Sequence, residues 1–224
     1  MKPIVSEKDF PTANKFVYLN AANVALMYNG AEKIITEWVA DVAQNGSNNF
    51  DDHAEEYVFK ELHRAAAQLI NASADDIAGG SSATELLCSL AWAVSPGKDK
   101  NVVSTEIVFP STVYPWQRVA RSTGCDIRLA KEKNNFIHTD DIIALIDRNT
   151  AVVCISHVEY GNGQTYDLHL LADAAHEHGA LLVVDATQSA GSIPIDVQAC
   201  PVDALISGAY KWLCGPFGAA FMYI

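Results

Sequence analysis

The chain has 224 residues, half of them hydrophobic and 19% charged, enough apolar content to bury a sizeable core and to exclude a disordered chain. Its formal charge of −12 argues against a nucleic-acid partner and against docking on an anionic membrane. The five cysteines (Cys88, Cys125, Cys154, Cys200 and Cys214) show no CxxC pair and no zinc spacing, so they read mostly as small core residues in a reducing, cytoplasmic compartment.

Met1–Asp9 lacks the apolar stretch of a signal peptide, and no run approaches the roughly 18 apolar residues of a membrane span. Phe16-Val-Tyr-Leu-Asn20-Ala-Ala reads as a short extended lead-in. Two helical patterns follow, around residues 29–44 and 55–70, separated by a polar loop at 44–52. From about Asp75 the chain alternates. Short apolar runs at 101–105, 151–156, 180–185 and 204–207 lack polar alternation, as strands buried on both faces do. Helical spacing marks Ala83, Leu86, Leu87, Leu90, Ala91 and Val94, and again Leu168, Leu171, Ala172 and Ala175, with Gly179 as the stop. This alternation predicts an α/β fold, a mostly parallel sheet sandwiched by helices, whose ligands bind outside the carboxyl ends of the strands. The chain divides into an N-terminal extended segment and helices (1–70) and the sheet-bearing domain (71–224). Gly218–Ile224 reads as a strand on which the chain stops, as if cut inside a fold.

Three segments carry chemistry. Gly79-Gly-Ser-Ser82-Ala83-Thr84-Glu85 precedes an amphipathic helix. Its free amides and the Ser82 and Thr84 hydroxyls suit a phosphate, although on its own the segment is better explained as an ordinary N-cap. It is neither a Walker loop nor GxGxxG, which disfavours a dinucleotide-binding domain. Asp185 closes the most hydrophobic strand, in Asp185-Ala-Thr-Gln188-Ser-Ala-Gly191. A buried carboxylate is costly alone, so it caps a following turn or meets a cation. Gln188 is either a turn residue or a donor to a ligand oxygen. Lys211 follows a strand in Ser207-Gly-Ala-Tyr210-Lys211-Trp-Leu-Cys-Gly-Pro-Phe-Gly218 and is the only lysine after Lys133. Elsewhere it would be a surface lysine. Desolvation at a strand end would make it a neutral, imine-forming amine. A lysine and an aspartate at two buried strand ends are what pyridoxal phosphate (PLP) chemistry needs: an anchor for the aldehyde and a partner that keeps the pyridine nitrogen protonated. Phe109, in Phe109-Pro-Ser-Thr112 after a strand, is a core ring or one that stacks on a planar cofactor.

These motifs in this order, from Tyr18 to the end, resemble the class V aminotransferase family of fold-type I PLP enzymes, which includes cysteine desulfurases, kynureninases and isopenicillin-N-epimerase-like proteins. The resemblance implies the large-domain portion of such an enzyme, with the C-terminal small domain missing, acting on an amino-acid substrate as a transaminase or a desulfurase/lyase, and a homodimer. It implies that Lys211 is the Schiff-base lysine and proton shuttle and that Asp185 pairs with the pyridine nitrogen. Gln188 would lie by the phenolic oxygen and Phe109 would stack on the ring. Ser82, Ala83 and Thr84 would hold the phosphate, joined by Tyr210 as in kynureninases.

The chain departs from the pattern in places. Tyr210 stands where desulfurases have histidine, and Gly208 where a serine is frequent. Tyr160 replaces an asparagine that faces the cofactor, with Asn162 a candidate substitute and His157 a candidate polar contact. The absent small domain normally brings the substrate-carboxylate arginine and, in desulfurases, the catalytic cysteine. A catalytically incomplete fragment acting as a binding or partner subunit is therefore the alternative reading.

Overall fold

The computed structural model describes residues 6–224, so the start of the leading segment, residues 1–5, lies outside the described residues. After a 3-10 turn at Pro11–Asn14, the chain forms α1 (Asn29–Asn45) and α2 (Asp52–Ile70). The alternating region then runs β1 (Ile77–Gly80), α3 (Ala83–Val94), β2 (Asn101–Thr105), α4 (Pro110–Thr123), β3 (Asp126–Ala130), α5 (Thr139–Ile143), β4 (Thr150–Ser156), α6 (Leu168–Glu177), β5 (Leu181–Asp185), β6 (Ala204–Gly208) and β7 (Ala220–Tyr223). The lead-in at 16–22 joins no strand.

The seven strands make one sheet in the order β1-β7-β6-β5-β4-β2-β3. β7 is antiparallel to both its neighbours, and the other pairings are parallel. Two antiparallel steps bring β1 back into line with β6. The carboxyl ends of β1, β2, β4, β5 and β6 therefore open on the same edge.

Side chains alternate across a strand, so each apolar run feeds two cores. Val103, Val153, Ile155, Leu182, Val184 and Leu205 face a core shared with α2, α5 and α6. Val102, Val152, Cys154, Val183 and Ile206 face the other, filled by Leu86, Leu87 and Leu90 of α3 and Trp116 and Val119 of α4. This is why the runs lack polar alternation. Each large side chain fully buried here contributes about 1.5–3 kcal/mol relative to exposure. The expected division near residue 70 falls at the end of α2, whose Ala66, Ala67 and Ile70 pack into the first core.

Two strands and two helices went unread in the sequence: β1, β3, α4 and α5. β1 ends in two glycines, and β3 is an edge strand with an exposed Asp126 and half-buried Arg128. Prolines interrupt the helical pattern of α4, but Pro110 sits in its first turn, where the missing N–H costs nothing.

Candidate active site

At the shared carboxyl edge lies a cavity of about 180 Å³, lined by side chains from five segments. All eight residues singled out in the sequence border it: Ser82, Ala83, Thr84, Phe109, Asp185, Gln188, Tyr210 and Lys211. Ser111, Ser156, Val158, Tyr160, Thr187 and Phe217 complete the wall.

The helix-terminus side is built by α3. Ser82 is its N-cap and accepts a hydrogen bond from the Glu85 amide at 3.1 Å. The Glu85 carboxylate turns back to Ser81, accepting from its amide at 2.7 Å and its hydroxyl at 2.5 Å. The amides of Ala83 and Thr84, in the first helical turn, have no intrahelical partner. Together with the positive end of the helix dipole they suit an anion. The Thr84 and Ser111 hydroxyls are 2.7 Å apart, joining the start of α3 to the start of α4. Both readings of Ser82 and Thr84 thus have a counterpart: Ser82 caps the helix, and the hydroxyls also line the cavity.

Asp185 ends β5 and is 6% exposed. Its Oδ1 accepts from the Thr187 amide at 2.9 Å, the turn cap anticipated for it. Its Oδ2 accepts from the Thr112 hydroxyl at 2.9 Å. Each oxygen keeps further acceptor capacity. Thr112 is fully buried, and its own carbonyl accepts from the Cys154 thiol at 3.3 Å. Burial pushes that thiol up to about 12, so Cys154 is a donor and not a nucleophile at neutral pH.

Lys211 follows β6 and is also 6% exposed. Its Nζ lies 5.4 Å from the centre of the Phe109 ring and 5.6 Å from that of Tyr210. Burial lowers its pKa from the usual lysine value, and the charge of Asp185 opposes that shift. Tyr210 stacks on Phe217, with ring centres 4.7 Å apart and planes inclined by 22°. Burial raises its phenol pKa, with Asp185 adding to the rise. Phe109 meets the edge of Tyr160 at 5.2 Å. Two aromatic pairs therefore flank the amine.

Gln188 accepts from the Trp212 indole N–H at 2.9 Å and donates to the Ala22 carbonyl at 2.9 Å. Asn162 lies elsewhere: its amide donates to the Asn135 carbonyl, and it lines a neighbouring cleft. His157 is buried behind Asp185, whose carbonyl accepts from the His157 amide at 2.9 Å, and it does not reach the cavity. Thr112 and Trp212 escaped the sequence reading. Both lie inside quoted motifs, but their partners belong to other segments.

The sequence model of the family described as "Aminotransferase class-V" matches residues 18–224. An uncharacterised aminotransferase, YcbU of Bacillus subtilis, is 29% identical over 96% of this chain and 56% of its own length. A probable cysteine desulfurase of Methanothermobacter thermautotrophicus is 29% identical over 96% of this chain and 54% of its own. A kynureninase of Geobacillus thermodenitrificans is 30% identical over 93% and 51%. Among solved structures, a mutant of C-DES with glycine covalently linked to its PLP cofactor superposes with a TM-score of 0.87 at 21% identity, covering 98% of this chain and 59% of that one. The cysteine desulfurase of Thermococcus onnurineus gives a TM-score of 0.80 at 22% identity over 97% and 56%. These two likenesses establish the fold. The chain spans about half the length of the curated relatives it matches.

Proposed function

The chain belongs to the class-V aminotransferase family, and we propose that it is the PLP-binding part of an enzyme acting on an amino acid, of transaminase or desulfurase/lyase type, with Lys211 as the attachment point. One observation carries this reading. A buried carboxylate at the end of β5 and a buried amine three residues past the adjacent strand β6 open into the same cavity. The donor set fits the cofactor: an aromatic face at Phe109, free helix amides at Ala83 and Thr84, and a carboxylate held by two donors.

Bound there, the cofactor supplies an electron sink for charge developing at the alpha carbon of an amino acid. The chain's own residues do the rest. Burial lowers the Lys211 pKa against the opposing charge of Asp185, so its Nζ gives up its proton more readily than a surface lysine and could then attach to an aldehyde carbon and carry a proton. Asp185, a fixed negative charge out of water, holds a ring N–H opposite it in the protonated state. Gln188 donates to a ring oxygen. The amides of Ala83 and Thr84, the hydroxyls of Ser82 and Thr84, and the Tyr210 hydroxyl take the phosphate. Phe109 covers one ring face and excludes water from it.

The protein incubated with PLP should develop the visible absorption of a lysine-bound cofactor, and Lys211→Ala should abolish it. Borohydride should then fix the cofactor's mass on the peptide containing Lys211. A band that survives in Lys211→Ala, or a label on another lysine, would sink the assignment. Screening amino acids for shifts of that band would identify the substrate.

The same reading includes a homodimer. Ile34, Trp38 and Val39 of α1 and Tyr57 and Val58 of α2 are each more than half exposed, which supports burial against a partner. Sedimentation at two concentrations tests it. The five cysteines are free, which supports a cytoplasmic location. No described helix is long and apolar enough to cross a membrane.

A further inference from the structure

Gln188 lines the Lys211 cavity with both ends of its carboxamide engaged. Oε1 accepts from the Trp212 indole, and Nε2 donates to the Ala22 carbonyl, each at 2.9 Å. An indole N–H only donates, and a backbone carbonyl only accepts. Turning the carboxamide over would set its NH2 against an N–H and its oxygen against a carbonyl. Both hydrogen bonds would be lost and two repulsive contacts formed. The amide thus has a single favourable orientation, and one of its two Nε2 hydrogens is not needed by Ala22.

The two partners are themselves held. Ala22 belongs to a segment tied to the Lys211 loop at two further points: the Ala25 amide donates to the Tyr210 carbonyl and the Tyr28 amide to the Cys214 carbonyl, each at 2.9 Å. On the other side, Gly191 lies so close to Trp212 that an added Cβ would stand 2.7 Å from the Trp212 carbonyl oxygen. The lock therefore joins three segments remote in sequence: 20–28, 185–191 and 210–214.

We infer that Trp212, acting with the Ala22 carbonyl, is a positioning residue that fixes Gln188 as a hydrogen-bond donor toward the cavity. It acts through Gln188 and need not touch a ligand. The inference rests on the proposed function in one respect: the acceptor that Gln188 meets is the cofactor's ring oxygen. It says why position 212 matters beyond packing. Phenylalanine there would keep the ring and lose the donor.

The first arm of the test needs no cofactor. In 15N-labelled protein, hydrogen exchange at the Trp212 indole N–H should be roughly fivefold faster in Gln188→Ala than in wild type, the factor set by one neutral hydrogen bond. In Gln188→Glu, the indole should stay protected, because a carboxylate still accepts from it. Unchanged exchange in Gln188→Ala would show that the lock does not exist. The second arm uses the PLP-loaded protein and follows the pH midpoint of the visible band. A donor to the ring oxygen drains negative charge that favours protonation beside it. Trp212→Phe should therefore raise the midpoint, by roughly fivefold in proton affinity, in the same direction as Gln188→Ala. The double variant should go no further than Gln188→Ala alone. An unmoved midpoint in Trp212→Phe, or additive shifts, would overturn the positioning role. If the wild type takes up no cofactor, the proposed function fails, and the exchange measurement still decides the lock.

Discussion

Thr112 donates its hydroxyl hydrogen to Oδ2 of Asp185 at 2.9 Å, joining the first turn of α4 to the end of β5 across 73 residues of sequence. The carboxylate is buried, and its other oxygen already accepts from the Thr187 amide. Thr112→Val keeps the side-chain shape and removes a donor. It should cost about 1–3 kcal/mol of stability, because a buried charged acceptor loses one partner. Thr112→Ser should restore most of it. Urea denaturation of the three proteins checks this, and equal midpoints for Val and Ser would refute it.

Gly191 occupies φ +88° with the Trp212 carbonyl oxygen 2.7 Å from where a Cβ would lie. Gly218 has nearly the same φ, +86°, and open space around it. The pair separates backbone strain from collision. Gly218→Ala should cost about 1 kcal/mol, the left-handed conformation alone. Gly191→Ala should cost more and should also slow cofactor uptake, since the displaced backbone adjoins Lys211. Denaturation midpoints that fall equally would show that the contact with Trp212 is soft.

The sheet core and the motif positions were legible because both are local signals. Runs such as Leu181–Asp185 carry no polar alternation; Asp185 closes that run, and Lys211 stands three residues past the end of another. Edge elements carried too little signal. β1 is Ile-Ala-Gly-Gly, and the helical spacing of Thr112, Val113, Trp116 and Val119 in α4 is interrupted by Pro115. The partners of Asp185 and Gln188 were out of reach for a different reason. Thr112 and Trp212 acquire their roles from which strand ends meet, and strand order is a property of the whole sheet. The same holds for Asn162, placed in the wrong cleft by a turn whose direction its sequence does not state.

Glu159 is buried at 1% exposure, accepting from the Thr105 hydroxyl at 3.1 Å and the Tyr166 phenol at 3.2 Å. Burial raises its pKa from 4.5 to about 7. The folded state therefore holds this proton where the unfolded chain has lost it. The resulting stabilisation is complete below pH 4.5, declines as pH rises, and is gone above about pH 7. The loss is on the order of 3 kcal/mol across that window. His157, whose burial lowers its pKa, acts in the opposite sense near neutral pH, so the informative quantity is a difference between proteins. Glu159→Gln should become progressively more stable relative to wild type from pH 4.5 to 7. A constant difference across that range would show that Glu159 ionises normally.

Gly208 and Tyr210 form a sterically linked pair. A Cβ on Gly208 would stand 3.2 Å from Cε1 of the Tyr210 ring, and that ring cannot retreat freely because it stacks on Phe217. A serine at 208, as the family frequently has, is therefore compatible with a smaller ring at 210. Gly208→Ser alone should cost about 1–3 kcal/mol, the penalty of overpacking a filled site. In a Tyr210→His background the same change should cost clearly less, giving a coupling of at least about 0.5 kcal/mol in a double-mutant cycle. Additive losses would mean that the Tyr210 ring moves aside at little cost. The glycine would then be explained by the backbone of β6 and not by its neighbour.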